Sequence, residues 1–127
     1  MAAASLHRGV LALHAAVCAV VVRASLRAGS VRFAVRAASG AGSLCRTPAT
    51  VDECAAAATQ AAARLSHPTC LYRALTAYAL LAHRHDATRF HLGTTAADGI
   101  RAHAWVSVGG RALDLEAARY STLWTSR

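Results

Sequence analysis

Apolar residues recur at helical spacing through the first two-thirds of the chain and predict four helices. The third helix has the clearest start, because Thr50 and Glu53 form a capping box in which each side chain accepts the other's free backbone N–H. The fourth begins near Pro68, whose missing N–H is tolerated in the first turn of a helix. The predicted helices span approximately residues 8–27, 31–38, 51–65 and 69–84.

The last third of the chain alternates apolar and polar residues, which predicts β-strands. Gly109 and Gly110 form a strong two-residue hairpin signal, and this loop pairs Val108 with Arg111. Residues 96–99 are predicted to form another turn. Helices followed by strands predict an α+β domain in which the N-terminal helices pack on a small antiparallel sheet. The predicted strands span residues 87–94, 100–108 and 111–115.

The hairpin register places a histidine and two acids on the polar face of the sheet. Counting outward from the turn, His103 lies opposite Glu116 and diagonal to Asp114, with the diagonal backbones about 7–8 Å apart. Trp105 lies on the same face, whereas the alternate residues form a uniformly apolar face. A carboxylate beside an imidazole accepts its N–H, fixes its tautomer and favours its charged form. We expect Asp114 to orient His103, and Glu116 is the rival for this role.

Cys70 lies in the first turn of the fourth predicted helix, where the positive end of the helix dipole stabilises a thiolate. A nearby imidazolium lowers a cysteine pKa further, from about 8.5 into a range of roughly 3.5–7.5. Cys70, His103 and Asp114 therefore supply an activated nucleophile, its base and the group that orients the base. Free backbone N–H groups at the start of the helix can stabilise a developing oxyanion.

Other interpretations of these residues stay open at this point. Cys70 alone is more often a buried core thiol than a nucleophile, and His67 is a rival base. A metal site that combines Cys70 with three further histidines is another alternative, but their spacing matches no zinc motif, and we expect no metal ion. These histidines are His83, His85 and His91.

The charge is concentrated at one end of the chain. The net charge is +8, and all 14 basic residues are arginine. Residues 1–51 contain six arginines and no acid, while all six acids come later. This pattern fits a solvated basic face, an acidic protein or peptide partner, nucleic acid or a membrane surface. Phe33 is the one aromatic residue of the segment, and no nucleic-acid motif is present, so we favour a protein partner over nucleic acid.

The apolar run 9–22 raises the question of a targeting signal. At 14 residues it is shorter than the roughly 20 needed to span a bilayer, although it resembles the apolar region of a signal peptide. Peripheral membrane contact is an alternative for the basic helices. The four cysteines contain no C-x-x-C pair, and Cys18 and Cys54 lie in predicted helices as small hydrophobic residues. We therefore expect a reduced, cytoplasmic protein.

Three segments resemble a known family. "CLYRAL" opens a helix, "LLAHRHDATRFHLG" runs from helix to strand, and "AHAWVSVGGRALD" covers the hairpin. Together they resemble the transglutaminase-like cysteine proteases of lasso-peptide biosynthesis, which are leader peptidases. The resemblance is close over about residues 50–115 and implies a minimal transglutaminase- or papain-like core. It also implies that Cys70, His103 and Asp114 form the catalytic triad.

The resemblance extends to residues around the triad. Arg73 matches an arginine of the family, and we expect it to be structural or to contact the peptide. Trp105 is expected to shield the triad from water, to line the peptide groove or to pack in the sheet. The expected organisation is one domain, with a basic helical segment over 1–49 and a catalytic core over 50–127.

The function implied by the resemblance is removal of the leader from a lasso-peptide precursor, which frees the core amino terminus for macrocyclisation. Expected partners are the precursor peptide, a small leader-recognition protein and the ATP-dependent lasso cyclase, and no cofactor is expected. The alternatives are a transglutaminase- or acyltransferase-like enzyme that forms amides, and a non-enzymatic basic module that binds proteins. The basic segment is the expected docking surface, with Arg23, Arg27 and Arg32 at its centre.

Overall fold

The computed structural model describes residues 2–65, 69–95 and 101–127, and within these ranges helices precede an antiparallel sheet. The helices are α1 (Ala2–Ala28), α2 (Val31–Gly42), α3 (Val51–Leu65) and α4 (Cys70–Ala82). The strands are β1 (Thr88–Thr95), β2 (Arg101–Val108), β3 (Arg111–Ala112) and β4 (Ser121–Thr125). The strand order is β3-β2-β1-β4, and a 3₁₀ helix over Leu115–Arg119 precedes β4. The predicted α+β arrangement is confirmed.

Helix α4 lies at the centre of the molecule. Every residue from Ala74 to Leu81 is buried, and the helix contacts α1, α2 and α3 as well as β1 and β2. Such a buried helix needs small residues where its neighbours cross it. At the crossing with α2, a Cβ atom added to Gly42 would lie 2.0 Å from the Ala79 carbonyl oxygen. Glycine is therefore required at this crossing.

Helix α1 is longer than the sequence pattern predicted. It begins at Ala2 because the alanine-rich residues before the apolar run continue the helix. By length and composition the helix could cross a membrane, and its most apolar stretch has a mean hydropathy of 1.9. The prediction that the apolar segment is too short to span a bilayer was therefore wrong. Its inner face packs in the core, and 39% of that stretch is buried.

A buried polar network connects α1 to the end of α4. His14 Nε2 donates to the Ala41 carbonyl at 2.9 Å, and Arg84 donates to His14 Nδ1 at 3.1 Å. Arg84 also donates to the carbonyls of Thr47 at 2.8 Å and Leu80 at 2.9 Å. Burial is the main cause that lowers the pKa of His14, and the Arg84 charge lowers it further against the opposing Ala41 hydrogen bond. The neutral imidazole can therefore accept from Arg84.

The capping box at the start of α3 is confirmed in one of its two bonds. The Thr50 hydroxyl accepts the Glu53 N–H at 3.1 Å, as predicted. The Glu53 carboxylate lies 3.2 Å from His7 Nε2, so it connects α3 to α1. The end of α3 at Leu65 is confirmed, while the predicted stop at Ser66 to Pro68 lies outside the described residues.

The hairpin between β2 and β3 has the predicted register near its turn. Gly109 and Gly110 adopt φ values of 60° and 83°, and Val108 pairs with Arg111. The third predicted strand was too long, because β3 ends at Ala112 and the chain then turns into the 3₁₀ helix. Strand β4 was not predicted, since it is a short edge strand whose outer residues are mostly exposed. The predicted turn over 96–99 lies outside the described residues.

We predict that Gly42→Ala destabilises the fold by at least about 2 kcal/mol, because the added methyl group must push apart the backbones of α2 and α4. Gly40→Ala is the matched control in the same helix, where nothing lies within 4 Å of the added Cβ. It should stabilise by roughly 0.5–1 kcal/mol through helix propensity. Chemical denaturation of both variants checks this pair, and similar stabilities would contradict the close crossing.

Candidate active site

The structure brings His103 and Asp114 into direct contact. His103 lies on β2, and Asp114 is the N-cap residue of the 3₁₀ helix that follows β3. Asp114 Oδ2 accepts a hydrogen bond from His103 Nε2, and Oδ1 accepts the Glu116 backbone N–H at 2.8 Å. Both carboxylate oxygens are thus used, one to hold the turn and one to orient the imidazole. The bond to Nε2 assigns Nδ1 as the ring nitrogen that can face a nucleophile.

The surroundings of Asp114 favour its charged form. Burial raises its pKa, but the hydrogen bonds from Glu116 N–H and His103 oppose this, and the net pKa lies below the ordinary value of 3.8. The charges of His103 and Arg73 lower the pKa further. Asp114 is therefore a carboxylate at neutral pH.

Aromatic rings enclose the His103 imidazole. Tyr120 stacks on it with ring centroids 4.6 Å apart, and Trp105 lies at 6.0 Å in a nearly parallel orientation. His91 stacks on Trp105 at 5.3 Å. A Cβ atom added to Gly93 would lie 2.8 Å from the Trp105 ring, so glycine makes room for that ring.

The face of the sheet that was predicted to be polar is consequently buried. His103 is 7% exposed and Trp105 is 6% exposed. The burial of His103 was not predicted, because Tyr120 belongs to the connection into β4, which the sequence pattern did not show. Of the roles considered for Trp105, packing in the sheet and shielding of the imidazole both match its position, and Trp105 also lines a cavity together with Cys70.

Cys70 is the first residue of α4 and is half-buried. Thr69 is the N-cap residue, with an extended backbone and no side-chain capping bond. The N–H groups of Cys70 and Leu71 come too early in the helix to have an acceptor within it, so they can face a ligand or a developing charge.

A cavity of about 370 Å³ lies between the start of α4 and Asp114. Cys70 and Arg73 line one side of it, and Asp114 lines it together with residues of β2. Arg73 is otherwise exposed, and its positive charge acts on Asp114 across this space. The cavity therefore joins four of the residues that the sequence singled out, which are Cys70, Arg73, Trp105 and Asp114.

The sulfur and the imidazole do not meet in this conformation. Among the hydrogen bonds of the described residues, none joins Cys70 to His103. Ala104 and Val106 face the helical core, and His103 alternates with them along β2. Asp114 is the group near both, since it bonds to His103 and lines the cavity of Cys70.

Glu116 does not take the predicted place opposite His103. The strand pairing ends at Ala112, so Glu116 lies in the 3₁₀ helix and its side chain is exposed. Its carboxylate still lies close, because ligand atoms of His103, Asp114 and Glu116 are all within 4.8 Å of one another. This arrangement is also one that could hold a cation, which the sequence analysis did not anticipate.

The other histidines considered as ligands or bases bind separate partners. His83 Nε2 lies 2.8 Å from the Ser39 carbonyl oxygen, and His85 Nε2 lies 2.8 Å from the Ala49 carbonyl oxygen. His91 contacts the hydroxyls of Thr125 and Ser107 on neighbouring strands, and burial lowers its pKa. His67 lies outside the described residues.

The remaining thiols differ in their reactivity. Burial raises the pKa of Cys18 to about 12 and also raises the pKa of Cys54. Cys45 is different, because a hydrogen bond with Thr47 at 3.1 Å lowers its pKa. Cys45 is therefore the thiol that competes with Cys70 in any labelling experiment.

A family model described as "Transglutaminase-like superfamily" matches residues 9–125. The chain belongs to the transglutaminase-like superfamily. The match runs from α1 to β4, further than the three segments that resembled the family. Membership supports a cysteine protease or acyltransferase-like role, and enzymes of the superfamily typically use cysteine, histidine and aspartate. Comparisons of the chain with curated proteins and with solved structures gave no match.

We predict that the stabilising effect of Asp114 depends on pH in the acid range. Because its folded-state pKa lies below 3.8, the carboxylate stabilises the fold above that pH, and this contribution is lost as pH falls through the folded-state pKa. Asp114→Asn keeps an N-cap residue but removes the charge. The stability difference between wild type and variant should be largest at pH 5–6 and shrink below about pH 3.8.

Urea denaturation at several pH values measures this difference. Asp52→Asn is the control, since Asp52 is an exposed acid in the first turn of α3. A difference for Asp114→Asn that stays constant between pH 6 and pH 3 would contradict the assigned bond.

Proposed function

We propose that this chain is a cysteine peptidase that removes the leader from a ribosomally made lasso-peptide precursor. Cys70 would be the nucleophile, His103 the base and acid, and Asp114 the group that orients the imidazole. The observation that carries the proposal is the bond between His103 and Asp114, in a superfamily member whose Cys70 opens a helix beside the same aspartate. The segments "CLYRAL" and "AHAWVSVGGRALD" supply the resemblance to leader peptidases.

The proposed reaction begins with transfer of the Cys70 proton to His103 Nδ1, while Asp114 holds Nε2. The thiolate attacks the carbonyl carbon of the last leader residue, and the C–N bond breaks as His103 protonates the departing amine. Water then attacks the thioester with His103 as base, which releases the leader and restores the thiol. The first-turn N–H groups of α4 would stabilise the oxyanion of each tetrahedral intermediate.

This reaction requires Cys70 Sγ to reach His103 Nδ1. Cys70 is the first residue of α4, in a turn that is only partly buried against the core, whereas the fully buried residues start at Ala74. Catalytic hydrogen bonds often tighten only when substrate binds. We therefore propose that peptide in the 370 Å³ cavity brings the start of α4 towards His103.

The proposed partners are the precursor peptide, a leader-recognition protein and the ATP-dependent lasso cyclase, and the proposed compartment is the cytoplasm. One residue of the expected basic docking surface, Arg23, is not available for docking. Arg23 is half-buried, and its guanidinium faces the Leu65 carbonyl at 3.5 Å, so it belongs to the packing of α1 on α3. Arg8 and Arg27 are exposed on α1 and are better representatives of that surface.

We predict that Cys70→Ala abolishes leader removal, because no other thiol lies at this helix start. Mass spectrometry of a precursor peptide, incubated with the enzyme and its leader-recognition protein, measures the cleaved fraction. Cys45→Ala is the matched control, since Cys45 has the lowered pKa but lies outside the cavity, and it should cleave normally. Asp114→Asn should lower the rate by a factor of at least about 100.

Two additions to the same assay separate the alternatives. An added amine that becomes joined to the leader would show amide formation, as in an acyltransferase. Excess EDTA should leave the rate unchanged, and a loss of activity would assign the group of His103, Asp114 and Glu116 to a metal. Full cleavage by Cys70→Ala would rule out the proposed nucleophile, whereas no cleavage by wild type would favour the non-enzymatic binding module.

We further predict that reversing Arg8 and Arg27 to glutamate weakens binding of the leader-recognition protein at least tenfold, because an acidic partner then meets like charge. The double variant Arg64→Glu, Arg119→Glu changes the net charge equally at exposed positions elsewhere and should bind normally. Titration calorimetry compares the two, and thermal unfolding confirms that both are folded. Unchanged affinity of the first variant would remove α1 from the interface.

A further inference from the structure

A second cavity, of about 610 Å³, lies between α2, the middle of α4 and β4. It shares no lining residue with the cavity of Cys70. Three guanidinium groups reach it, from Arg32, Arg36 and Arg127, and no carboxylate side chain does among the described residues that line it. A concave site with several positive charges and no acid favours an anionic ligand.

The arginines are placed to act together. Arg32 and Arg36 are four residues apart on α2, so they lie on one face of the helix and point along the same wall. The Arg32 guanidinium lies 5.8 Å from the centre of the Trp124 ring, and this contact restricts its position. Ser39 and Tyr78 also line this cavity. Planar guanidinium groups bind carboxylates through paired hydrogen bonds.

The cavity adjoins the edge strand β4, which pairs on one side only among the described strands. Strand β4 is the last strand of the sheet, and its pairing partner is β1 on one side. Its opposite edge offers backbone N–H and C=O groups to another extended chain. Trp124 and Thr125 belong to this strand and also line the cavity, so a chain added there would pass over the arginines. Alternate side chains of such a chain would enter the cavity.

We propose that this cavity binds an extended acidic peptide segment, which pairs with the outer edge of β4 and places carboxylates against Arg32, Arg36 and Arg127. The segment belongs to the peptide substrate, and this part of the inference rests on the proposed peptidase function. Binding itself does not, because it can be measured on a chain that cannot cleave.

The experiment uses Cys70→Ala and two synthetic eight-residue peptides, one alternating glutamate and threonine and one alternating glutamine and threonine. Titration calorimetry at low and high salt gives both affinities. The glutamate peptide should bind with an affinity that falls with salt, and the glutamine peptide should bind at least about tenfold more weakly. Equal affinities for the two peptides would overturn the proposal.

Variants then locate the site. Arg32→Gln with Arg36→Gln should weaken the glutamate peptide at least about tenfold, since two charge-assisted contacts are lost. Arg64→Gln with Arg119→Gln removes equal charge at exposed positions and should bind as before. Equal losses in the two variants would mean that net charge alone attracts the peptide, which overturns the assigned site.

Two further ligands test the mode of binding. A glutamate–threonine peptide that is N-methylated at every backbone amide keeps the charge but has no N–H to donate to β4, so it should bind at least about tenfold more weakly. Unchanged binding would overturn strand addition. Inorganic phosphate that displaces the peptide at equal or lower concentration would instead identify a phosphate site. Normal peptide binding together with absent cleavage by wild type would contradict the peptidase function and leave this site in place.

Discussion

The burial of α4 from Ala74 to Leu81 is the constraint on which the rest of the structure depends. Three helices and two strands contact this helix, and its residues from Ala74 to Leu81 have no solvent-facing side. Close approach on all sides requires small residues in the surrounding helices, and the absent side chain of Gly42 is the tightest case. Because the interior of the helix is fixed by this packing, its first turn projects from a rigid body. Cys70 therefore lies at the margin of the core, beside a cavity, in a turn that is only partly buried.

Asp114 stabilises the local fold and also orients the imidazole. Asp114 ends the pairing of β3 by capping a 3₁₀ helix, and the same carboxylate holds the His103 imidazole. A change in the chain direction at this point would release the imidazole as well. Tyr120, whose ring stacks on His103, comes directly after the 3₁₀ helix that Asp114 caps. The local backbone between β3 and β4 thus determines both the orientation and the enclosure of the histidine.

Local patterns were sufficient for much of this arrangement. The boundaries of α3, the turn at Gly109 and the neighbourhood of His103 and Asp114 follow from periodicity and turn chemistry, which act over a few residues. The features that the sequence did not predict depend on contacts between distant segments. Strand β4 forms because β1 offers an edge, and the His14 to Arg84 network joins residues 70 positions apart. The place of Glu116 was misjudged because a regular strand was extended past the point where Asp114 begins a helix.

Helix α1 cannot pack in this folded domain and span a membrane at the same time. It is hydrophobic enough for a bilayer, but Leu11, Cys18 and Val22 on its inner face complete the core around α4. Transfer of the helix into lipid would uncover the buried surfaces of α2, α3 and α4 to water. Removal of α1 from this core, whether into a membrane or by cleavage, would therefore destabilise the whole fold.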